Sequence, residues 1–157
     1  MKQIKEKKAF DSANMRLQFA ALPWRYSKNE GVEILLATSR ETRRWVIPKG
    51  WPMKGRKPHI TAALEAMQEA GLHGKIERKK IGDYKYNKRL KSDLVVVCSV
   101  DVFPLEVLRQ RNKWREKNQR IIQWFPFKIA AAQVDEAELC DLILDFGAMK
   151  SLKETNN

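Results

Sequence analysis

Residues 43–72, RRWVIPKGWPMKGRKPHITAALEAMQEAGL, contain the pattern that decides the fold. The stretch begins with a short apolar strand at residues 45–47 and continues into a loop rich in glycine, proline and lysine. An amphipathic helix follows, and Glu65 and Glu69 project from one face of it because they lie four residues apart. A basic loop next to a helix that bears carboxylates suits a metal-assisted phosphate chemistry.

Both ends of this helix can be predicted from their residue types. Pro58 suits a first turn, where its missing N–H costs little, and Gly71 suits the position just beyond the last turn. Between them, the apolar residues follow the spacing of one helix face, at positions 60, 63, 64, 67 and 70. We therefore expect a helix that begins near Pro58 and ends at Gly71.

The composition indicates one globular domain with an unusual charge. The 157 residues suffice for a single core, and 43% of them are apolar. The net charge of +12 favours anionic partners: nucleotides, inositol phosphates, nucleic acid or an anionic membrane. We divide the chain into a basic flexible lead-in at residues 1–14, a single domain at residues 15–152 and a polar tail at residues 153–157.

The cysteines and the hydropathy pattern indicate a compartment. Cys98 and Cys140 are far apart and have no partners at metal-ligand spacing, so we expect free thiols in a reducing environment. No run of 18 apolar residues is present, so no membrane span is predicted. The basic N-terminus lacks the apolar segment of a signal peptide. The expected location is the cytoplasm.

The remaining segments predict an α+β fold. Pro23 is expected to end the first strand, and residues 28–31 form a turn that lets the first two strands pair as a hairpin. The predicted strands besides residues 45–47 are residues 15–22, 32–38, 76–84, 93–103 and 119–125, with a basic turn at residues 88–92, a charged insert at residues 104–118, a short helix at residues 128–133 and a final helix at residues 136–152. This order is typical of a mixed sheet between helical layers.

Residues 50–72 resemble the Nudix box. That box reads glycine, five residues, glutamate, seven residues, arginine–glutamate, an apolar residue, any residue, two glutamates, any residue, glycine and an apolar residue. The matching positions are Gly50, Glu65, Ala66, Glu69, Gly71 and Leu72. The departures are Arg56 for the first glutamate, Leu64 for the arginine and Gln68 for a later glutamate.

The resemblance extends to flanking segments. WVIPKGW (residues 45–51), KWREKNQRIIQWF (residues 113–125) and DEAELCDLI (residues 135–143) look like the branch of Nudix proteins that hydrolyses diphosphoinositol and dinucleoside polyphosphates. It covers residues 15–152 and implies the Nudix fold, a mixed β-sheet sandwiched between helices. The implied activity is pyrophosphatase chemistry, in which water attacks phosphorus in a nucleoside or inositol polyphosphate.

The resemblance also implies a metal site. Glu65, Gln68 and Glu69 would hold Mg²⁺, with Mn²⁺ as an alternative and the Gly50 carbonyl as an extra ligand. Mg²⁺ typically takes one or two carboxylates together with phosphate oxygens and waters, and Gln68 offers a carbonyl oxygen without a charge. From spacing alone, the glutamates could equally be solvated residues on an amphipathic helix. Arg56 and Leu64 replace residues that help to orient the catalytic helix in the family.

Basic residues around the loop are candidates for binding phosphate. The substrate-binding candidates are Arg43, Arg44, Lys49, Trp51 and Arg56, with Trp51 stacking on a base. A second basic cluster, which could face the same cleft, is formed by Lys85, Lys88, Arg89 and Lys91. The alternative is a generally basic surface with a tryptophan that packs against the loop.

Members of the family often use a further glutamate from outside the box. Glu116, in the charged insert, is the candidate for a base or metal ligand, ahead of Asp101 and Glu106. Gln123 stands where a glutamate usually precedes the last Trp-Phe pair. His59 and His73 have no visible ligand set and are expected at the surface or in loops.

Two functions remain open from the sequence. The first is a Mg²⁺-dependent Nudix pyrophosphohydrolase that acts on a small-molecule polyphosphate, without a membrane partner, as a monomer or homodimer. The alternative is a catalytically weakened or inactive protein of the same fold that binds a polyphosphate ligand or nucleic acid. Nucleic acid is the more distant choice, because no sequence pattern of a nucleic-acid-binding module accompanies the charge.

Overall fold

The computed structural model describes residues 15–155, and the predicted lead-in at residues 1–14 lies outside the described residues. The strands are β1 Met15–Ser27, β2 Gly31–Thr38, β3 Trp45–Val46, β4 Lys49–Gly50, β5 Leu72–Ile76, β6 Gly82–Arg89, β7 Val95–Gln110 and β8 Ile122–Pro126. The helices are α1 Pro58–Ala70, α2 Phe127–Gln133 and α3 Ala137–Thr155. Among the described residues, no helix has both the length and the apolar character needed to cross a membrane.

The strands form one mixed sheet, as predicted. β1 and β7 run parallel at its centre, and the hairpin of β1 and β2 is antiparallel. The strand order is β3-β2-β1-β7-β5, while β4 pairs with β1, β6 with β7 and β8 with β2. Two long central strands therefore hold the shorter strands in place on both sides.

Residues of opposite parity along β1 pack on opposite faces of the sheet. Phe19 and Ala21 belong to a core that includes three fully buried alanines of α1: Ala62, Ala66 and Ala70. Residues Ala20 and Leu22 belong to the larger core on the other face, to which α2 and α3 contribute Ala130, Ala131, Leu139, Ile143 and Phe146. Because side chains alternate along a strand, one sheet can support helices on both faces. The predicted sandwich is confirmed.

Two prolines that were expected to interrupt strands lie inside them. β1 continues through Pro23, which lies between the positions paired with β4 and those paired with β2. β7 continues through Pro104, which lies between the positions paired with β6 and those paired with β5. A proline lacks the N–H that a ladder needs, and here each one lies where the neighbouring strand changes. The prediction that residues 104–118 form an insert is therefore wrong for residues 104–110.

The segment predicted as one strand at residues 76–84 is divided. β5 ends at Ile76, β6 begins at Gly82, and both pair with β7. The predicted basic turn is displaced, since β6 extends to Arg89. At the C-terminus, α3 extends to Thr155 and includes the first residues of the predicted polar tail; residues 156–157 lie outside the described part of the chain.

Helix α1 has the predicted ends. Pro58 is in its first turn, and Gly71 ends it in a left-handed conformation at φ +71°. The Gly71 N–H donates to the Met67 carbonyl at 2.9 Å, which satisfies a carbonyl of the last turn. The alanines on the buried face let the helix approach the sheet closely. The opposite edge of α1 presents Glu65 and Glu69 to β4.

Candidate active site

Glu69 ties α1 to two other parts of the chain. It is buried, with 5% of its surface exposed. Its Oε2 accepts a hydrogen bond from the Lys49 backbone N–H at 2.8 Å, and its Oε1 lies 2.9 Å from Arg120 Nη2. The carboxylate therefore fixes the distance between the helix and β4, and it forms an ion pair with Arg120.

Glu65 packs directly against the backbone of β4. A Cβ added at Gly50 would lie 2.2 Å from Glu65 Oε1, closer than non-bonded atoms approach. Only glycine leaves room for the carboxylate at this point. Within residues 15–155, Glu65 has neither a hydrogen bond nor an ion pair. The structure thus brings Gly50 and the two box glutamates together.

Glu116 reaches the same place through a loop that docks on the end of α1. The Arg111 N–H donates to the Gly71 carbonyl at 2.9 Å, and the Glu116 N–H donates to the Gln68 carbonyl at 3.0 Å. The ring of Trp114 lies on Gly71, where an added Cβ would be 2.4 Å from Cε3. These contacts hold the loop so that Glu116 joins Glu65 and Glu69 in lining one cleft.

Arg120 is a site residue that the sequence analysis missed. Its Nε lies 3.0 Å from Glu116 Oε1, and its Nη2 contacts Glu69. Its Nη1 donates to the Thr38 carbonyl at 3.1 Å. Nothing in the sequence separates this arginine from the other 30 lysine and arginine residues of the chain. Its role follows only from the pairing of β8 with β2.

The cleft has a volume of about 490 Å³. Its lining residues are Gln18, Ser39, Arg40, Glu41, Thr42, Arg44, Val46, Lys49, Gly50, Trp51, Glu65, Glu69, Tyr86, Asn87, Lys88, Arg89, Glu116 and Arg120. Of the predicted substrate-binding residues, Arg44, Lys49 and Trp51 line it, while Arg43 and Arg56 do not. Gln68, a predicted metal ligand, is also absent from the lining.

Only two residues of the second basic cluster line the cleft. Lys88 and Arg89 line the cleft, but Lys85 and Lys91 do not. Lys85 instead pairs with Asp83 at 3.3 Å. Lys85 and Lys88 lie at positions of opposite parity along β6, so their side chains point to opposite faces of the sheet.

The cationic lining residues differ in their bonding. Arg44 Nη1 pairs with Glu136 and lies 3.5 Å from Asp135, so residues next to the start of α3 hold it in place. The Lys49 ammonium lies 5.1 Å from the centre of the Tyr86 ring, a cation–π contact. Burial lowers the Lys49 pKa to about 8, against the opposing effect of Glu69. The charge of Lys49 acts on both Glu65 and Glu69, and within residues 15–155 its ammonium group forms no hydrogen bond or ion pair with an acid.

The carboxylates hold their protons more tightly than free glutamates. Burial raises the Glu65 pKa to about 7, and the charge of Glu116 adds to this effect. Burial also raises the Glu69 pKa to about 7, although Arg120 and Lys49 oppose the rise. Burial therefore disfavours the ionised carboxylates, and a cation bound beside them would stabilise the ionised forms.

The donor set fits a divalent cation held by two carboxylates. Within residues 15–155, no group of three or more His, Cys, Asp or Glu side chains is arranged to hold a metal ion. However, Glu65 and Glu69 supply only oxygen atoms, and Mg²⁺ is commonly held by one or two carboxylates with phosphate oxygens and waters. The unpartnered Glu65 is the stronger of the two candidates, since the Glu69 oxygens already have partners.

The weaker candidates for a base or metal ligand do not line the cleft. Asp101 pairs with Lys80 at 3.1 Å, and Glu106 lies on β7 in register with Lys75 of β5. His59, His73 and Gln123 do not line the cleft either. Among the glutamates predicted outside the box, only Glu116 reaches the box pair.

Sequence comparisons relate the chain to Nudix hydrolases. Models of known protein families give no match. Nudix hydrolase 4 of Arabidopsis thaliana is 28% identical over 139 residues, which are 83% of this chain and 62% of that protein. Diphosphoinositol polyphosphate phosphohydrolase 3-beta of Bos taurus is 30% identical over 84 residues, 54% of this chain and 50% of that protein. The chain thus spans about three-fifths of the first relative's length.

Solved structures establish the fold. The C. elegans Ap4A hydrolase in a binary complex superposes with a TM-score of 0.63 at 19% identity, covering 85% of this chain and 96% of that one. The NUDIX domain of Shewanella oneidensis NrtR, complexed with ADP ribose, gives a TM-score of 0.62 at 13% identity, covering 83% and 87%. The expected fold is confirmed.

Proposed function

From the Nudix fold of this chain and its similarity to Nudix hydrolases, we propose that it hydrolyses a phosphoanhydride bond in a nucleoside or inositol polyphosphate. Water attacks phosphorus, and Mg²⁺ or Mn²⁺ is the required cation. The observation that carries the proposal is the convergence of Glu65, Glu69 and Glu116 in one cleft with Lys49 and Gly50. Lys49, Gly50, Glu65 and Glu69 come from one stretch of the sequence, whereas Glu116 comes from a distant loop.

The three carboxylates have different proposed roles, which follow from their different contacts. Glu65 and Glu69 would hold the divalent cation, which would neutralise phosphate charge and lower the pKa of a bound water. Gly50 lets Glu65 approach the backbone of β4. Glu116 is fixed by Arg120 and by its own backbone bond to Gln68, so its carboxylate is positioned beside the pair. We assign Glu116 as the candidate base.

The basic residues provide the binding energy for phosphate groups. Lys49 and Lys88 line the cleft. Within the described residues their ammonium groups form no hydrogen bond or ion pair with an acid, so their charges are available to a ligand. Arg44 lies nearby and is held by Glu136, which orients its guanidinium at the wall. Desolvated cations aimed at phosphate oxygens stabilise the charge that develops during transfer. We leave Arg43, Arg56 and Gln68 out of the proposed site.

The dimensions of the cleft support a small-molecule substrate. Its volume of about 490 Å³ is within the range of roughly 300 to 1,000 Å³ typical of ligand pockets. Trp51 lines it with 39% of its surface exposed, so its ring can stack on a nucleoside base. Among the relatives, two are named for diphosphoinositol polyphosphate and Ap4A, and both ligands contain a phosphoanhydride bond.

A phosphate-release screen tests the proposal. The substrates would be dinucleoside polyphosphates, nucleoside triphosphates, nucleotide sugars and diphosphoinositol phosphates, each with Mg²⁺ or Mn²⁺. We expect metal-dependent release that falls at least about tenfold in Glu65→Gln, since tenfold corresponds to about 1.4 kcal/mol of lost stabilisation. Glu77→Gln is the matched control, because Glu77 is exposed and lies outside the cleft. Release that is equal in all three proteins would rule out the assigned site.

A second candidate is a polyphosphate-binding protein with little turnover. It is favoured by the ion pairs of Arg120 with Glu69 and Glu116, which occupy two of the three carboxylates. The departures Leu64 and Gln68 point the same way. This candidate predicts tight phosphate-ligand binding without hydrolysis. A Leu64→Arg, Gln68→Glu variant that gained activity would show that the departures suppress catalysis.

We also propose that residues 15–152 form a single functional domain that acts in the cytoplasm. One sheet and its two flanking cores extend through this range. Cys98 is buried in β7, and no disulfide is present within the described part of the chain, as a reducing compartment would favour. Fluorescence localisation of the tagged full chain tests the compartment.

A further inference from the structure

Arg120 occupies a position among the carboxylates that a cation would otherwise take. Its Nη2 lies 2.9 Å from Glu69 Oε1, and its Nε lies 3.0 Å from Glu116 Oε1. The arginine side chain is 10% exposed, and the side chains of Glu69 and Glu116 are 6% and 15% exposed. These pairs are therefore shielded from water. The Coulomb attraction between two charges is stronger in such a shielded position than at the surface.

The position of Arg120 is fixed by β2. Its Nη1 donates to the Thr38 carbonyl, the Thr38 hydroxyl accepts from the Ile121 N–H at 2.9 Å, and the Thr38 N–H donates to the Ile121 carbonyl at 2.9 Å. The planar guanidinium therefore uses three of its nitrogen atoms on three separate acceptors. Leaving the cluster would break all three contacts and remove the arginine partner from two carboxylates that are largely buried.

The charges of the cluster suit a single added divalent cation. Glu65, Glu69 and Glu116 carry three negative charges when ionised, and Arg120 carries one positive charge that it cannot release. For these four side chains alone the net charge is then minus two, which one divalent cation neutralises. Glu65 has no hydrogen bond or ion pair within residues 15–155, so it is the carboxylate open to that ion.

We propose that Arg120 is a built-in cation that occupies the Glu69–Glu116 side of the cluster and limits the ligand-free cleft to one divalent metal ion. The inference rests on the metal site of the proposed function and specifies its stoichiometry. Arg120 is a positioning residue: it holds two carboxylates for the reaction and excludes a second ion from them. The same contact explains how Glu69 can be buried as an anion before any metal binds.

Counting bound Mn²⁺ on the full-length protein tests the proposal. Free Mn²⁺ is measured by its electron paramagnetic resonance signal during titration, without substrate. We expect about one Mn²⁺ per wild-type chain and about two per Arg120→Gln chain, because the variant leaves Glu69 and Glu116 without a cation. Arg120→Lys keeps the charge and is expected to stay at about one, with a weaker hold on the carboxylates.

Arg40→Gln is the matched control. Arg40 Nε lies 3.9 Å from Glu116 Oε1, and its side chain is 59% exposed. Its substitution therefore removes a cation near the cluster but leaves Arg120 in contact with Glu69 and Glu116. We expect the control to bind the wild-type number of ions. Circular dichroism and thermal unfolding confirm that each variant is folded before the titration.

The possible outcomes separate this inference from the proposed function. If the wild-type chain binds two Mn²⁺ ions, this result alone overturns the inference, even if no variant folds. The proposed metal site would then remain in place. One ion on the wild type and on a folded Arg120→Gln variant also overturns it. No binding to either protein overturns both proposals, whereas an increase confined to Arg120→Gln supports both.

Discussion

The backbone of Gly50 faces the carboxylate of Glu65 so closely that a Cβ at residue 50 would lie 2.2 Å from Oε1. This contact joins the β4 strand to the face of α1 that bears Glu65 and Glu69. It also explains why a glycine is required here although its φ angle is not in the left-handed region. A side chain at residue 50 would displace the carboxylate and not the backbone, since the end of a glutamate side chain moves easily.

The first prediction concerns Gly50→Ala. The methyl group displaces the Glu65 carboxylate, so we expect hydrolysis to fall at least about tenfold, while the free energy of unfolding changes by less than about 1 kcal/mol. Steady-state kinetics and denaturant unfolding measure the two quantities. In a Glu65→Gln background the same substitution should have little further effect on activity, as a double-mutant cycle requires for coupled residues. Independent effects would disprove the coupling.

The second prediction concerns Glu69→Gln. The amide oxygen can still accept the Lys49 N–H, but the negative charge that faces Arg120 is lost. We expect phosphate release to fall at least about tenfold, because a metal ligand and the partner of a buried arginine are both weakened. Initial rates at saturating Mg²⁺ measure the loss, with Glu77→Gln as the control. Activity equal to that of the wild type would eliminate the metal role of Glu69.

The third prediction concerns the pH dependence of stability without metal. In the folded protein the Glu65 pKa is about 7, above its ordinary value of 4.5, mainly because the group is buried. Between these pH values the folded state keeps a proton that the unfolded chain has released, so raising the pH favours unfolding. We expect the melting temperature in EDTA to fall between pH 5 and pH 7.

Lys49 acts in the opposite direction at higher pH. Its folded-state pKa is about 8, below the ordinary 10.5, because of burial, so stability from this group rises above pH 8. Glu65→Gln should reduce the fall between pH 5 and pH 7 without removing it, because the Glu69 pKa is also raised to about 7, and Mn²⁺ should reduce it in the wild type. A melting temperature that rises through this range in EDTA would contradict the burial of an ionisable Glu65.

The fourth prediction compares two glycines with the same backbone conformation. Gly71 and Gly31 have φ angles of +71° and +69°, but an added Cβ meets Trp114 only at Gly71 and nothing within 4 Å at Gly31. We expect Gly31→Ala to cost about 1 kcal/mol of unfolding free energy from backbone strain alone. Gly71→Ala should cost about 2 kcal/mol or more because Trp114 must also move.

The Gly71 substitution has a functional consequence that the Gly31 control lacks. Displacing Trp114 loosens the loop that carries Glu116, since this loop is held to α1 through Gly71 and Gln68. We therefore expect a lower rate of phosphate release in Gly71→Ala and an unchanged rate in Gly31→Ala. Equal rates in the two folded variants would show that the docked loop does not position Glu116 for the reaction.

Some features of the fold could be predicted because they depend on neighbouring residues. Apolar runs bounded by turn residues predicted most strands, and the helical spacing between Pro58 and Gly71 predicted α1 with its correct ends. The two prolines inside strands could not be predicted. Pro23 and Pro104 are tolerated only because each lies where the adjacent strand changes, and local sequence contains no information about such neighbours.

The sequence by itself determined α1 and the pair Glu65 and Glu69 on one of its faces, because helical periodicity is a local property of the backbone. Only the tertiary structure decided what meets that face. Gly50, Glu116 and Arg120 reach it through the pairing of β4 with β1, a loop docked on the end of α1, and the pairing of β8 with β2. These contacts join distant parts of the chain, and burial then fixes the charges that the site presents to a ligand.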